Sequence, residues 1–171
     1  MNQMKNIKIE KVTLNVGAGK DQKVLDKAVD LLENLTGIKP VKTTTNKRIQ
    51  SWGLRPGLPV GCKITLRGEA ALKMVERLLY AKDNVLAESS FDEEGNISFG
   101  IKEYVDIKDA KYDPKIGMMG LQATITLARP GFRLKNRRIR PAKLPRSHKI
   151  SKDEAISFMK EKYSIKTGEE L

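Results

Sequence analysis

Lys8 to Val16 alternates, with Val12, Leu14 and Val16 on one side and Lys11, Thr13 and Asn15 on the other. A period of two is the mark of a half-buried strand. Gly17-Ala18-Gly19 breaks it, and Val24, Leu25, Ala28, Leu31, Leu32 and Leu35 then recur at helical spacing. That stripe predicts an amphipathic helix over 21–35, capped by Asp21 and stopped by Gly37. Pro40 to Thr45 is a short β-prone piece. Cys62–Arg67 alternates again, with Cys62, Ile64 and Leu66 inward, and a second helix follows over 69–82, carrying Leu72, Val75, Leu78 and Leu79. Ile97, Phe99 and Ile101 predict a third alternating strand, reached through a turn at Asp92–Asn96. Leu121, Ala123, Ile125 and Leu127 predict a fourth. Ser151-Lys152-Asp153-Glu154 is a capping box, opening a last helix with Ala155, Ile156, Met159 and Tyr163.

Strands with one apolar and one polar side imply an antiparallel sheet whose helices pack on one face only. The fold class is therefore α+β. The other face would display Lys11, Thr13, Asn15, Lys63, Thr65, Arg67, Ser98, Lys102, Gln122, Thr124 and Thr126, with no acid among them. Short polar groups and cations of this kind suit phosphate oxygens and ribose hydroxyls, which is how structured RNA is mostly gripped. Such a face can also simply be solvated.

Charge favours the first reading. The chain has 33 Lys/Arg against 21 Asp/Glu, a net charge of +12. From Asn34 to Gly68 there are seven cations and no acid, and from Pro114 to Lys152 eleven and no acid. Segregated positive charge is the footprint of a polyanion, because neutralising phosphates releases condensed counterions. The chain reads as one RNA-binding domain, 1–171, with a core over 8–130, a basic extension over 131–150 and a helix over 151–163. The extension is Pro-punctuated and poor in apolar residues, so it is expected to be irregular and ordered by RNA. A loop of about fifteen residues over 46–61 is long enough to suggest a function of its own. In it, Trp52 could anchor the loop or stack on a nucleotide. Anchoring is favoured, since a ring gains more from burial than from exposure without a partner.

Little else points to chemistry. Gly19-Lys20 follows a strand and precedes a helix, but a phosphate-binding loop needs Gly at position 14 and Ser or Thr at 21, where this chain has Leu14 and Asp21. A tight turn explains it, although N–H groups there could still meet an RNA phosphate. His148 is the single histidine, set among Arg146, Lys149 and Lys152, and reads as a surface contact. Cys62, the single cysteine, reads as a small core residue, and one cysteine permits no internal disulfide. No metal, cofactor or active site is expected. No apolar run approaches the roughly 20 residues that span a bilayer, and the N-terminus lacks the apolar core of a signal peptide. The expectation is a cytoplasmic protein with no membrane partner.

The segments VTLNVGAGK, TGIKPVKTTT, NKRIQSWGLRPGLPVGCKITLRG, SFDEEGNISFGIKEY and YDPKIGMMGLQATITLARPGF, in this order, resemble the L-five family of large-subunit ribosomal proteins. The resemblance covers about Lys11 to Lys166. The run Arg129-Pro130-Gly131-Phe132, with the basic stretch and SHKISKDEAISFMKEKY after it, is similar to the archaeal and eukaryotic branch. The family implies a sheet of about five antiparallel strands, binding to 5S rRNA, and its attachment in the central protuberance. Asn15 and Thr65 match polar strand positions that contact 5S rRNA, and Lys11, Thr13, Lys63 and Arg67 complete the expected 5S surface. A further family contact, a Gln, is replaced here by Ile38, leaving Lys39 or Thr36 to compensate. The 46–61 loop corresponds to one that reaches the P-site tRNA, with Lys47, Arg48, Trp52 and Arg55 as its contacts. Arg129, Arg133, Arg137, Arg138, Arg140, Arg146 and His148 are expected to touch large-subunit rRNA. Other central-protuberance proteins, and a small-subunit head protein across an intersubunit bridge, are the implied protein partners, with 111–121 a candidate bridge surface. An RNA-processing enzyme or a regulatory RNA binder would be the alternative users of the same basic surface.

Overall fold

The computed structural model describes residues 2–168. Strand β1 (Lys8–Gly17) leads through the Gly turn into helix α1 (Gln22–Thr36). Then come β2 (Val41–Thr44), β3 (Pro59–Leu66) and helix α2 (Gly68–Tyr80). A two-residue strand β4 (Val85–Leu86), β5 (Asn96–Ile101) and β6 (Leu121–Ala128) follow. One short helix, α3 (Arg133–Asn136), lies in the basic extension, ahead of α4 (Lys152–Tyr163) and β7 (Lys166–Thr167). The fold is α+β: a five-stranded antiparallel sheet in the order β2-β3-β1-β6-β5, with four helices. β4 and β7 form a separate parallel pair, Val85 opposite Lys166 and Leu86 opposite Thr167.

Two compact units make up the chain. One comprises 13–66 and 100–123, the other 1–12, 67–99 and 124–171. In the first, α1 packs on β3. Leu25, Ala28, Leu31, Leu32 and Leu35 are its buried stripe, as the spacing predicts. Asp21 Oδ1 accepts the Lys23 N–H at 2.9 Å, and Gly37 closes the helix at φ 71° with its N–H on the Glu33 carbonyl. A left-handed terminus of that kind is one that glycine adopts without a steric penalty. Leu14, Val16, Cys62, Ile64, Tyr104 and Ile107 belong to the same unit's core.

In the second unit α2 buries Ala71, Met74, Val75, Leu78 and Leu79. Leu72 departs from the expected stripe and is exposed, because Ala71 and Met74 take the inward positions that spacing from Leu72 would have claimed. The α4 capping box forms in both directions: Glu154 N–H donates to Ser151 Oγ, and Ser151 N–H donates to Glu154 Oε2 at 3.0 Å. Ala155 and Met159 are the buried side of that helix.

Candidate nucleic-acid interface

Every polar sheet position named from the alternation remains accessible. In the first unit Lys63, Thr65, Lys102 and Gln122 are exposed, and Thr13 and Asn15 half-buried, while Leu14, Val16, Cys62, Ile64 and Leu121 between them are buried. Asn15 Nδ2 donates to Gln122 Oε1 at 3.3 Å. That bond aims the Asn15 amide along the open face and leaves its carbonyl oxygen available. In the second unit Lys11, Thr124 and Thr126 are half-buried and Ser98 and Arg67 exposed. Ser98 and Thr124 share a hydrogen bond at 3.1 Å. Arg67 approaches Glu10 at 3.6 Å, a pairing that its alternation does not reveal. With Arg67 well exposed, the pair leaves most of the guanidinium free for another acceptor.

The turn between β1 and α1 is not the open N–H cradle that its glycines suggest. Ala18 and Gly19 both donate to the Val60 carbonyl, at 2.9 and 3.1 Å, and Asp21 already caps the helix. Two donors that could have met a phosphate are consumed inside the protein.

The 46–61 segment is a hairpin rather than an open loop. Ile49 and Leu54 exchange backbone bonds at 3.1 and 3.0 Å, Gly53 N–H reaches the Gln50 carbonyl, and Thr45 pairs with Leu58 and Gly57. Lys47, Arg48 and Arg55 are exposed around it. Trp52, at its tip, is 67% exposed, so the anchoring expected from its hydrophobicity does not occur. The four-residue tip is closed by backbone bonds, so it holds its shape without burying the ring.

Arg129 is the largest departure. Expected to face RNA, it is instead 5% exposed and spends its guanidinium internally. Nε donates to the Lys5 carbonyl at 3.1 Å, and one Nη to the Lys149 carbonyl at 3.0 Å. The other Nη meets Glu154 Oε1 at 2.7 Å. The Ser151 N–H, with Arg129 beside it, holds the Glu154 carboxyl below the usual carboxylate range. His148 is also turned inward: Nε2–H donates to the Pro130 carbonyl at 2.9 Å, and the ring meets Phe132 edge-on at 5.7 Å. Arg133, Arg137, Arg138, Arg140 and Arg146 remain exposed. The two ends of the extension are thus tied by protein groups, through Arg129 and His148.

Sequence reading also missed a cavity of about 340 Å³ walled by Glu94, Phe132, Lys135, Lys143, Leu144, Arg146, Lys149 and Ile150. Its residues show no periodicity, so no local signal marks it. Cys62, by contrast, lies where alternation puts it, fully buried, with burial pushing its thiol up to about 11.

Family profiles match most of the chain. The family profile for ribosomal protein L5 matches residues 2–55, and the profile for the C-terminus of the same ribosomal family matches 59–158. The chain belongs to the ribosomal protein L5 family. It is 48% identical over 163 residues to the large ribosomal subunit protein uL5 of Nanoarchaeum equitans, covering 95% of this chain and 96% of that one. The uL5 of Sulfolobus acidocaldarius is 45% identical over 96% of this chain and 92% of its own, and that of Methanosphaera stadtmanae 42% over 96% and 98%.

Proposed function

We propose that this chain is a structural, non-catalytic protein of the large ribosomal subunit that grips 5S rRNA through the open sides of β1 and β3. In that role it helps attach 5S rRNA in the central protuberance of cytoplasmic ribosomes. Family membership supports the coarser part of this reading. The observation that carries the finer part is the accessibility of Asn15 and Thr65, each flanked along its strand by fully inward neighbours. Strand backbones fix where such groups emerge, so a hydroxyl and an amide are presented to ribose and phosphate groups with little backbone ordering left to do on binding. Thr13 and Lys63 stand on the same strands, with Lys11 and Arg67 at the second unit's ends of β1 and beyond β3.

In this reading the 46–61 hairpin serves a different RNA, the P-site tRNA, with Lys47, Arg48 and Arg55 on phosphates and Trp52 offering a free face for stacking. Exposed Arg133, Arg137, Arg138, Arg140 and Arg146 serve large-subunit rRNA. Tyr112 and Met118, both exposed, make 111–121 the surface proposed for the intersubunit bridge.

The decisive experiment measures 5S rRNA affinity of Asn15→Ala and Thr65→Ala. Each is expected to weaken binding by about 1–3 kcal/mol, the cost of leaving an interface partner unsatisfied, with unchanged thermal unfolding. Unaltered affinity in both variants refutes the sheet-face assignment. Deletion of the hairpin tip, 50–53, should spare 5S binding and weaken tRNA retention in the ribosomal P site; lost 5S affinity would show that the hairpin has been given the wrong partner.

A further inference from the structure

The cavity in the basic extension shares no lining residue with the set assigned above to 5S rRNA, and its chemistry is different. Its apolar lining is Phe132 and Ile150, both buried, and Leu144, half-buried. Lys135, Lys143, Arg146 and Lys149 stand around it with a single acid, Glu94. Glu94 Oε1 takes a hydrogen bond from Lys149 Nζ at 2.7 Å, and that contact holds its carboxyl ionised. Lys135 sits 5.6 Å from the centre of the Phe132 ring. Lys143 and Arg146 pair with no carboxylate among the described residues, so the cavity keeps positive groups beside an apolar lining.

The lining is also shaped by Gly95. A Cβ there would lie 2.9 Å from Ile150, so the absence of a side chain at position 95 lets Ile150 take its place in it. At about 340 Å³ the space lies at the low end of small-molecule sites. It corresponds to roughly ten waters at about 30 Å³ each, so a lone phosphate would leave most of it wet. A nucleotide answers both features: a flat apolar base for the lining, and a phosphate for Lys143 and Arg146.

We propose that this cavity seats one unstacked nucleotide of an RNA strand, with its base against Phe132, Leu144 and Ile150 and its phosphate on Lys143 and Arg146. The proposal rests on the RNA-binding reading above and adds a site to it. Recognition of extruded nucleotides is the usual route to selectivity on RNA, because bases within an A-form helix are inaccessible in its deep, narrow major groove. The cavity would therefore supply a preference for bulged over regular duplex, which exposed cations cannot supply by themselves.

The test uses the full chain, a short RNA hairpin with a single 2-aminopurine bulge, and its fully paired counterpart. The wild-type protein is expected to bind the bulged hairpin about tenfold more tightly, the scale of one seated base, with a change in 2-aminopurine fluorescence. Leu144→Trp fills the cavity without altering charge; it should bind both hairpins with the paired hairpin's affinity. Thermal unfolding of this variant is followed alongside, and Lys143→Ala provides a second variant that should lose part of the preference. Equal wild-type affinity for the two hairpins overturns the proposal, as does a preference that survives both substitutions. Adenosine monophosphate is titrated in a separate arm; saturable binding of it without any bulge preference would make this a free-nucleotide site and overturn the RNA assignment. 5S rRNA binding, measured on the same protein, separates the two levels: retained 5S binding with indistinguishable hairpins removes the cavity proposal alone, whereas absent 5S binding removes the broader reading.

Discussion

The stretches 34–68 and 114–152 both lack acidic residues, yet they deploy their cations differently. In the first, all seven Lys and Arg are exposed, and order comes from backbone: the Ile49–Leu54 exchange, the Thr45–Leu58 bond and the β2–β3 pairing. In the second, one cation of the eleven is withdrawn from solvent. Arg129 binds the carbonyls of Lys5, His148 and Lys149 and the carboxylate of Glu154, and in doing so ties down a segment with few apolar groups of its own. A hairpin can satisfy itself with local hydrogen bonds. An irregular, Pro-punctuated segment cannot, so a multidentate guanidinium supplies the donors that its carbonyls lack.

Removing the same charge from each stretch is the sharpest way to break this contrast. Arg129→Ala should destabilise the protein by about 2–4 kcal/mol, since it strands several acceptors at once. Arg55→Ala should stay within about 0.5 kcal/mol. In a chain of this size each kcal/mol moves the melting temperature by about 2–4 °C, so thermal unfolding resolves the two. Similar shifts would mean that Arg129 is no more structural than a surface arginine.

Glycine substitutions test the packing behind the contrast. Gly95→Ala meets Ile150 at 2.9 Å in addition to a φ of +77°, and should cost about 2–3 kcal/mol. Gly57→Ala, at φ +84° in the hairpin, meets nothing within 4 Å, and strain alone should cost about 1 kcal/mol. Chemical denaturation of the two variants ranks them, and a reversed order would place the tighter packing in the hairpin.

Glu154→Gln keeps the capping-box geometry but discards the charge that faces Arg129, for an expected loss of about 1–2 kcal/mol. The sign with pH follows from the lowered carboxyl. Because the folded-state value lies below the unfolded one, its stabilisation is complete above the ordinary Glu value of about 4.3 and disappears as pH falls through the folded value. The Gln variant should lack that acid-side component, so the stability curves of the two proteins should converge at low pH. Parallel curves would show that the carboxylate carries no linked stability.

Trp52→Ala should produce the smallest stability change, within about 0.5 kcal/mol, because the ring is exposed. Calorimetry of the free protein checks this; a cost of the size of a buried ring would restore the anchoring role that its exposure denies.

Much of the fold was legible before any coordinates. The alternation of β1, β3, β5 and β6 places Leu14 and Ile64 inside and Asn15 and Thr65 outside, because neighbouring side chains on a strand must point to opposite faces. Asp21, Gly37 and the Ser151–Glu154 box mark helix ends for an equally local reason. The polar half of the candidate interface follows directly from the same period of two. The β4–β7 pair was not legible, since two residues cannot display a period and the partner strand lies about eighty positions away in sequence.

Local sequence is enough to specify which side of each strand is apolar, where the main helices begin and stop, and how strongly the charge is segregated. All of these depend on neighbours within a few positions. Long-range packing, by contrast, sets Val60 on the Ala18 and Gly19 donors, leaves Trp52 exposed, and forms a cavity lined in part by Lys143 and Arg146. The tertiary structure alone shows that Arg129 is buried among the protein's own acceptors. That arrangement turns on Lys5, 124 positions earlier, and on Glu154, 25 positions later. A cation's fate depends on which acceptors the folded chain brings within about 3 Å of it, and that distance is a property of the whole fold.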